Sequence, residues 1–260
     1  MSGTIALIII ATTAVTSFIS GIFGMAGGMI LMGVLLWITP LATAMVTHGL
    51  IMAVANGWRA FLLRTHIKWR VFGFYMIGAA LGTALLYLVI WRPDKQAAYL
   101  LLGLVPVIVW LPRGWMKLDI QRPYQSVIAG AIVQGMNTLA GVAGPLLDIF
   151  FVRTAMTRQE IVATKSATQV VSHIVKMGFW STPLILAVLS QETSVDTSLW
   201  PPLWLFAAAI PASMFATWLG RSVLNRMKDA DFQTWVKALI TIIGVVYLYR
   251  AWDLWQASGA

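Results

Sequence analysis

Apolar blocks of roughly 17–25 residues, divided by short charged connectors, run from one end of this chain to the other. At about 1.5 Å of rise per helical residue, a block of that length crosses the hydrocarbon core of a bilayer once. A transmembrane barrel is built from alternating segments of about ten residues, and these blocks do not alternate. Charged residues make up 10% of the chain and hydrophobic ones 59%, where a soluble domain carries about 25% charged. The pattern predicts an all-α membrane protein. Met1-Ser2-Gly3-Thr4 leads straight into apolar sequence. With no basic n-region and no clear cleavage site, the first block reads as a retained helix and not a signal peptide. The absence of cysteine excludes thiol chemistry, disulfides and thiolate metal sites. A net charge of +9 in a soluble protein suggests nucleic acid. Here it reads as Lys- and Arg-rich cytoplasmic loops, and no nucleic-acid partner is expected.

Two blocks are broken by glycine: Gly24-Met25-Ala26-Gly27-Gly28 and Gly141-Val142-Ala143-Gly144-Pro145. Each glycine weakens a helix by about 1 kcal/mol relative to alanine. In lipid, an interrupted backbone is tolerated only where protein or a water-filled cavity satisfies its freed N–H and C=O groups. Short apolar pieces follow, 29–38 and 146–152. Ten helical residues cover about 15 Å, half the core. A half-helix starting at Met29 and another at Leu146 would each aim an N-terminus at the bilayer centre, with unpaired N–H groups and about half a positive charge. Two such ends converging make an anion site without a charged side chain, and glycine lets the ligand approach the backbone. Tight packing by small residues is the competing reading. Two clusters at matching positions, each ahead of a short helix, favour the site.

The layout repeats. A first unit spans 1–112, with a hairpin at 4–38 and helices at 42–63, 71–91 and 96–112. A linker covers 113–124. A second unit spans 125–260, with a hairpin at 125–152 and helices at 160–188, 201–220 and 232–252. A gapless shift of 117 places Gly24 on Gly141, Ala26 on Ala143, Gly27 on Gly144, Pro40 on Thr157 and Thr47 on Thr164. Identity elsewhere is near chance, so the repeat rests on layout. Thr39-Pro40 reads as an N-cap followed by proline at the first helical position, and Thr157-Arg158-Gln159-Glu160 as a capping box. Segments 64–70, 113–124, 153–160 and 221–231 are basic, whereas 189–200 carries Glu192 and Asp196 and no basic residue. The positive-inside bias puts the basic segments in the cytoplasm and 189–200 outside. This requires each broken segment to return to its own face as a re-entrant hairpin, since a single crossing would leave Arg153 and Arg158 outside. The product is an inverted repeat of two units, each a broken hairpin plus three transmembrane helices, an arrangement that recurs in secondary transporters.

The helix 160–188 carries Lys165, Thr168, Gln169, Ser172, His173 and Lys176 at three- and four-residue spacing, which makes one polar stripe. Intramembrane ionisable groups face a cavity or a partner, so the stripe reads as one wall of a water-filled anion route. Alternatively Lys165 and Lys176 snorkel to opposite interfaces, although Gln169 and Ser172 are too short to do so. The shift sets Lys165 on His48, His173 on Asn56 and Lys176 on Arg59. That pairing makes His48 a ligand contact or else a hydrogen-bonded packing residue, and leaves Arg59 at the cytoplasmic interface. Asp148 either pairs with Lys165 or Arg153, or carries a proton. The expected substrate-binding set is therefore Gly24, Gly27, Gly28, Met29, His48, Gly141, Gly144, Leu146, Lys165 and Gln169, with Asp148 as the coupling candidate. No catalytic residue, metal ligand or cofactor is expected. Trp37, Trp69, Trp91, Trp200 and Trp252 fall near predicted helix ends, as an aromatic belt requires.

In these features the chain resembles the sulfite exporter TauE/SafE family. The resemblance covers nearly the whole chain. It lies in the Gly24–Gly28 break after Ser20-Gly21, in Gly141–Pro145, in Ala163-Thr164-Lys165-Ser166, and in Ile210-Pro211-Ala212 with Leu219-Gly220-Arg221. It implies export of a small sulfur-containing anion, sulfite or a C2 organosulfonate, across the cytoplasmic (inner) membrane of a bacterium. Ala26 and Ala143 stand where the family often has glycine, and Gly135 and Asn137 replace its usual Ser-Gly pair, which changes the pocket's shape. No nucleotide-binding motif is present, so an ion gradient is the expected energy source. An anion channel or organic-carboxylate permease of the same fold, and an accessory membrane assembly protein, are the alternatives. An intramembrane enzyme lacks a metal cluster or nucleophile–base pair in the sequence. The expected partners are the anionic substrate, the bilayer and, as a homodimer, a second copy of the chain.

Overall fold

The computed structural model describes residues 2–23, 26–89, 92–110, 118–151, 154–190, 200–224 and 229–258. These form α1 (Gly3–Phe23), α2 (Ala26–Ile38), α3 (Leu41–Leu62), α4 (Trp69–Val89), α5 (Lys95–Trp110), α6 (Pro123–Ala140), α7 (Gly144–Phe151), α8 (Arg158–Leu189), α9 (Leu203–Leu224) and α10 (Asp229–Ser258), and no strand is found among the described residues. Five of them, α1, α3, α4, α9 and α10, contain segments long and apolar enough to cross a membrane. The chain is an all-α, multi-pass membrane protein. At 32 residues α8 is the longest helix, and its length is matched to no single apolar block because it carries the polar stripe.

Three local expectations change. The first half-helix begins at Ala26 and not at Met29, so Gly27 and Gly28 lie in its first turn. Burial outweighs glycine's helix penalty here: Ala26 and Met29 are fully enclosed. The break itself, with the candidate Gly24, lies outside the described residues. The second half-helix begins at Gly144, two residues before Leu146, with Pro145 in its first turn, where a missing N–H costs nothing. Thr39 does not cap α3. Its hydroxyl donates back to the Leu35 carbonyl at 2.7 Å and closes the end of α2. The capping box at Thr157 does form: the Thr157 N–H donates to Glu160 Oε2 at 2.8 Å and the Glu160 N–H to Thr157 Oγ1 at 3.3 Å.

Numbered in order, α1–α5 and α6–α10 exchange packing partners. α1 lies on α9 as α6 lies on α4; α3 meets α9 as α8 meets α4; α2 meets α10 as α7 meets α5. Two further large contacts, α3 on α8 and α5 on α10, join each helix to its own counterpart. Small residues set the closest approaches. A methyl on Gly220 would stand 2.3 Å from the Phe18 carbonyl oxygen, which locks α9 beside α1. Pairs of touching residues give the directions. Ser17 with Ser213 and Gly21 with Thr217 make α1 and α9 parallel. Gly49 against Met177, Gly57 against Val170 and the Lys68 N–H on Thr164 make α3 and α8 antiparallel. Tyr99 on Tyr247 and Trp110 on Thr241 do the same for α5 and α10.

The shift of 117 carries the starts of α1, α2 and α3 close to those of α6, α7 and α8, but not further. It would begin α9 at 186 (Trp69 plus 117), and α9 begins at Leu203. The offset arises because α8 runs 32 residues against 22 for α3 and a longer connection follows.

Both broken segments fold back. In the first, Gly27 faces Thr16 and Ser20 of α1. In the second, the Ile120 N–H donates to the Phe150 carbonyl at 2.8 Å and the Ala155 N–H to Gln121 Oε1 at 3.2 Å, so chain entry and exit meet. Lys68 and Glu160 form an ion pair at 2.5 Å. Residues 64–68, 118–122 and 154–160 therefore share one face of the bundle.

Candidate functional site

Gly141 ends α6 in the left-handed conformation, with φ of +89°, which glycine alone adopts at little cost. Its N–H donates to the Asn137 carbonyl at 3.0 Å, and its own carbonyl turns towards α8. There Lys176, fully buried, donates to that carbonyl at 2.8 Å. The same ammonium lies 2.8 Å from Nδ1 of His48 on α3, and His48 Nε2 lies 3.0 Å from the Gly28 carbonyl on α2. A carbonyl only accepts, so Nε2 carries the imidazole proton and Nδ1 accepts from Lys176. Three hydrogen bonds thus run from the first turn of one half-helix, through α3 and α8, to the break ahead of the other.

The surroundings hold this centre in place. Met32 and Met45 pack on Gly141, where a methyl would come within 2.8 Å of Met32 Cε. The Tyr247 hydroxyl of α10 donates to the Met29 carbonyl, and Trp180 Nε1 to the Thr138 carbonyl at 2.8 Å. The His173 ring stands edge-on to His48 with centroids 5.6 Å apart. The position suits a cation, because the carboxyl end of α6 carries partial negative charge. No carboxylate pairs with Lys176 among the described residues. A buried ammonium without a counter-charge is costly.

The expected site residues divide. Gly28, His48 and Gly141 come together, and Met29, next to Gly28 in the chain, turns its carbonyl to Tyr247. Gly27 faces α1 and serves packing. Leu146 packs in a separate apolar cluster with Leu147, Phe150 and Ile161, and Gly144 opens the same half-helix. Gln169 is buried in α8 with its amide nitrogen unpartnered. Lys165 is not beside His48. It forms an ion pair with Asp148 of α7, the two side chains 23% and 28% exposed. Lys165 stands three turns, about 16 Å, along α8 from Lys176. The antiparallel register of α3 and α8 is the reason: it sets His48 opposite Lys176, and the shift-related pair, Arg59 and Lys165, within electrostatic reach of each other. Lys176, read from sequence as a residue that could snorkel, is the central one. The signal that would have found it is an antiparallel pairing of the counterpart helices α3 and α8, which crosses the pairings of the shift.

Asp148 pairs with Lys165. Asp148→Asn should lower the melting temperature by removing an ion pair worth between about 1 kcal/mol, as for exposed pairs, and about 3 kcal/mol, as for buried ones. Lys165→Met should also destabilise, and the double variant should be more stable than the sum of the two losses. Strict additivity in a thermal-unfolding cycle would show that the two side chains do not interact.

The family model described as "Sulfite exporter TauE/SafE" matches residues 9–247. The chain belongs to the sulfite exporter TauE/SafE family. The match runs from α1 into α10 and contains both breaks, His48 and Lys176. TauE/SafE proteins are transporters, and membership places this chain among exporters of sulfite and related sulfur anions as a class. Neither a curated protein nor a solved structure matches it.

Proposed function

We propose that this TauE/SafE protein exports a small sulfur-containing anion, sulfite or a C2 organosulfonate, across the inner membrane of a bacterium, and that the His48–Lys176 centre holds the anion. The observation that carries the reading is the buried Lys176 side chain, without a carboxylate partner among the described residues, hydrogen-bonded to a break and bridged by His48 to the other half-helix. Secondary transporters place their substrate where broken helices meet near the bilayer midplane. Partner exchange between α1–α5 and α6–α10, with α3 antiparallel to α8 and α5 to α10, supports an inverted repeat of units 1–112 and 125–260. The shared face of 64–68, 118–122 and 154–160 is rich in Lys and Arg and is assigned to the cytoplasm.

The test is thermal stabilisation of the purified protein by sulfite, sulfate, sulfoacetate, taurine and carboxylate analogues. A bound anion at a hundred times its Kd stabilises the folded state by about 2.7 kcal/mol. Sulfite or sulfoacetate should raise the melting temperature, and zwitterionic taurine should not. An equal response to taurine, or none to any sulfur anion, removes the reading. Flux into vesicles that saturates and follows an imposed ion gradient identifies a coupled exporter, whereas non-saturating flux identifies a channel.

A further inference from the structure

Between α4, α6 and α8 lies a seam of buried polar groups that the His48–Lys176 centre does not use. The Tyr75 hydroxyl on α4, Gln134 Oε1 and both amide atoms of Asn137 on α6, and Gln169 Nε2, Ser172 Oγ and His173 Nδ1 on α8 have no hydrogen-bond partner. Gln169 is 9% exposed, His173 4% and the other four 0%. Helices α4, α6 and α8 pack on one another. The Tyr75 hydroxyl reaches Ser172, though neither oxygen attains good hydrogen-bond geometry. Gln134, Asn137 and Gly141 share one face of α6 by their spacing. One turn beyond Ser172, Lys176 binds the Gly141 carbonyl. Towards the basic face the seam ends where Ser126 Oγ donates to the Val71 carbonyl at 3.0 Å.

An unsatisfied buried polar group costs about 1–3 kcal/mol. Six such residues on one seam at membrane depth favour a polar guest, water or ligand. The groups are neutral, and four of them can donate: Tyr75, Asn137, Gln169 and Ser172. They suit an oxygen-rich anion whose charge is balanced further on by Lys176. The other half of the molecule differs. The shift of 117 sets Ser17 at Gln134, Ser20 at Asn137, Met52 at Gln169 and Ala55 at Ser172. Ser17 there bonds Ser213 at 2.8 Å, and α1, α3 and α9 leave only Thr13 Oγ1 and Thr47 Oγ1 unpartnered among their described buried side chains.

We propose that the α4–α6–α8 seam is a second oxyanion subsite, lying between the basic face and Lys176 and formed by Tyr75, Asn137, Gln169 and Ser172. It rests on the reading of the chain as a sulfur-anion transporter and names where the anion waits before the centre.

The chain has no cysteine, so single thiols report without background. Ser172→Cys in membranes should react with 2-sulfonatoethyl methanethiosulfonate. Sulfoacetate at about ten times its Kd should slow that reaction about tenfold, by occupancy alone. Taurine should not slow it, and any reaction at Ala55→Cys, the counterpart position, should be indifferent to sulfoacetate. Gln169→Cys, read in the same way, serves if Ser172→Cys fails to fold. Reaction unaffected by sulfoacetate means that water alone fills the seam, and absence of reaction means that it is dry; either result overturns the subsite. Sulfoacetate stabilisation of the cysteine-free protein reports the parent reading separately. Stabilisation without protection of the thiol overturns the seam alone, and loss of both overturns the parent reading with it.

Discussion

Lys176→Met is expected to remove the anion response while leaving a folded protein. Methionine keeps most of the apolar stem of lysine and deletes the charge together with its hydrogen-bond donors. Truncating one partner of a buried, hydrogen-bonded charge pair costs about 2–5 kcal/mol of binding, which is a loss of roughly thirtyfold to several-thousandfold in affinity. Stability without ligand should behave differently. The Gly141 carbonyl and His48 Nδ1 each lose a donor, at about 1–3 kcal/mol apiece. Against this, an uncompensated buried ammonium disappears, and relief of its desolvation is of similar size. The melting temperature of the ligand-free protein should therefore move little, or rise, while stabilisation by sulfite and transport into vesicles are both lost. An intact sulfite response in a folded Lys176→Met protein would place the anion elsewhere.

Adjacent glycines should give opposite outcomes. Gly27→Ala places a methyl 1.9 Å from the Thr16 carbonyl oxygen and 2.8 Å from Ser20 Cβ. The first is backbone within a helix and cannot yield, so α2 must leave α1. Ala26, Met29, Leu31 and Met32 are buried on α2, and displacing them should destabilise the fold by about 3 kcal/mol or more, seen as a collapse of monodisperse yield. Gly28→Ala meets only Met52 Sδ at 3.5 Å and His48 Nε2 at 3.7 Å, ordinary contacts. It should fold and gain up to about 1 kcal/mol of helix propensity, yet weaken anion binding because its methyl occupies space beside His48. Equal stability of the two variants would contradict the described fold of the first hairpin.

Much of the architecture was legible because its causes are local. Apolar length alone locates α1, α3, α4 and α10 to within a few residues, apart from the six-residue extension that ends α10 at Ser258. Thr157 and Glu160 mark the start of α8 because a capping box is made by residues three apart. The boundaries that moved did so where burial overrode propensity: α2 absorbs Gly27 and Gly28 since the space beside Thr16 admits no side chain. The Asp148–Lys165 pair was one of the alternatives the sequence allowed and it forms in the structure, while Arg153, the other partner offered, lies outside the described residues.

By itself, then, the sequence pointed to a chain that lives in a bilayer, to two glycine breaks at matching places, and to a family of sulfur-anion exporters. Each of those depends on runs of residues read in order. Only the tertiary structure decided which polar side chains meet. Lys176 and His48 are 128 residues apart, and their contact follows from α3 and α8 lying antiparallel at one register. A single helical turn of slip, about 5.4 Å, would put a different residue of the polar stripe opposite His48, and nothing local in either helix sets that register.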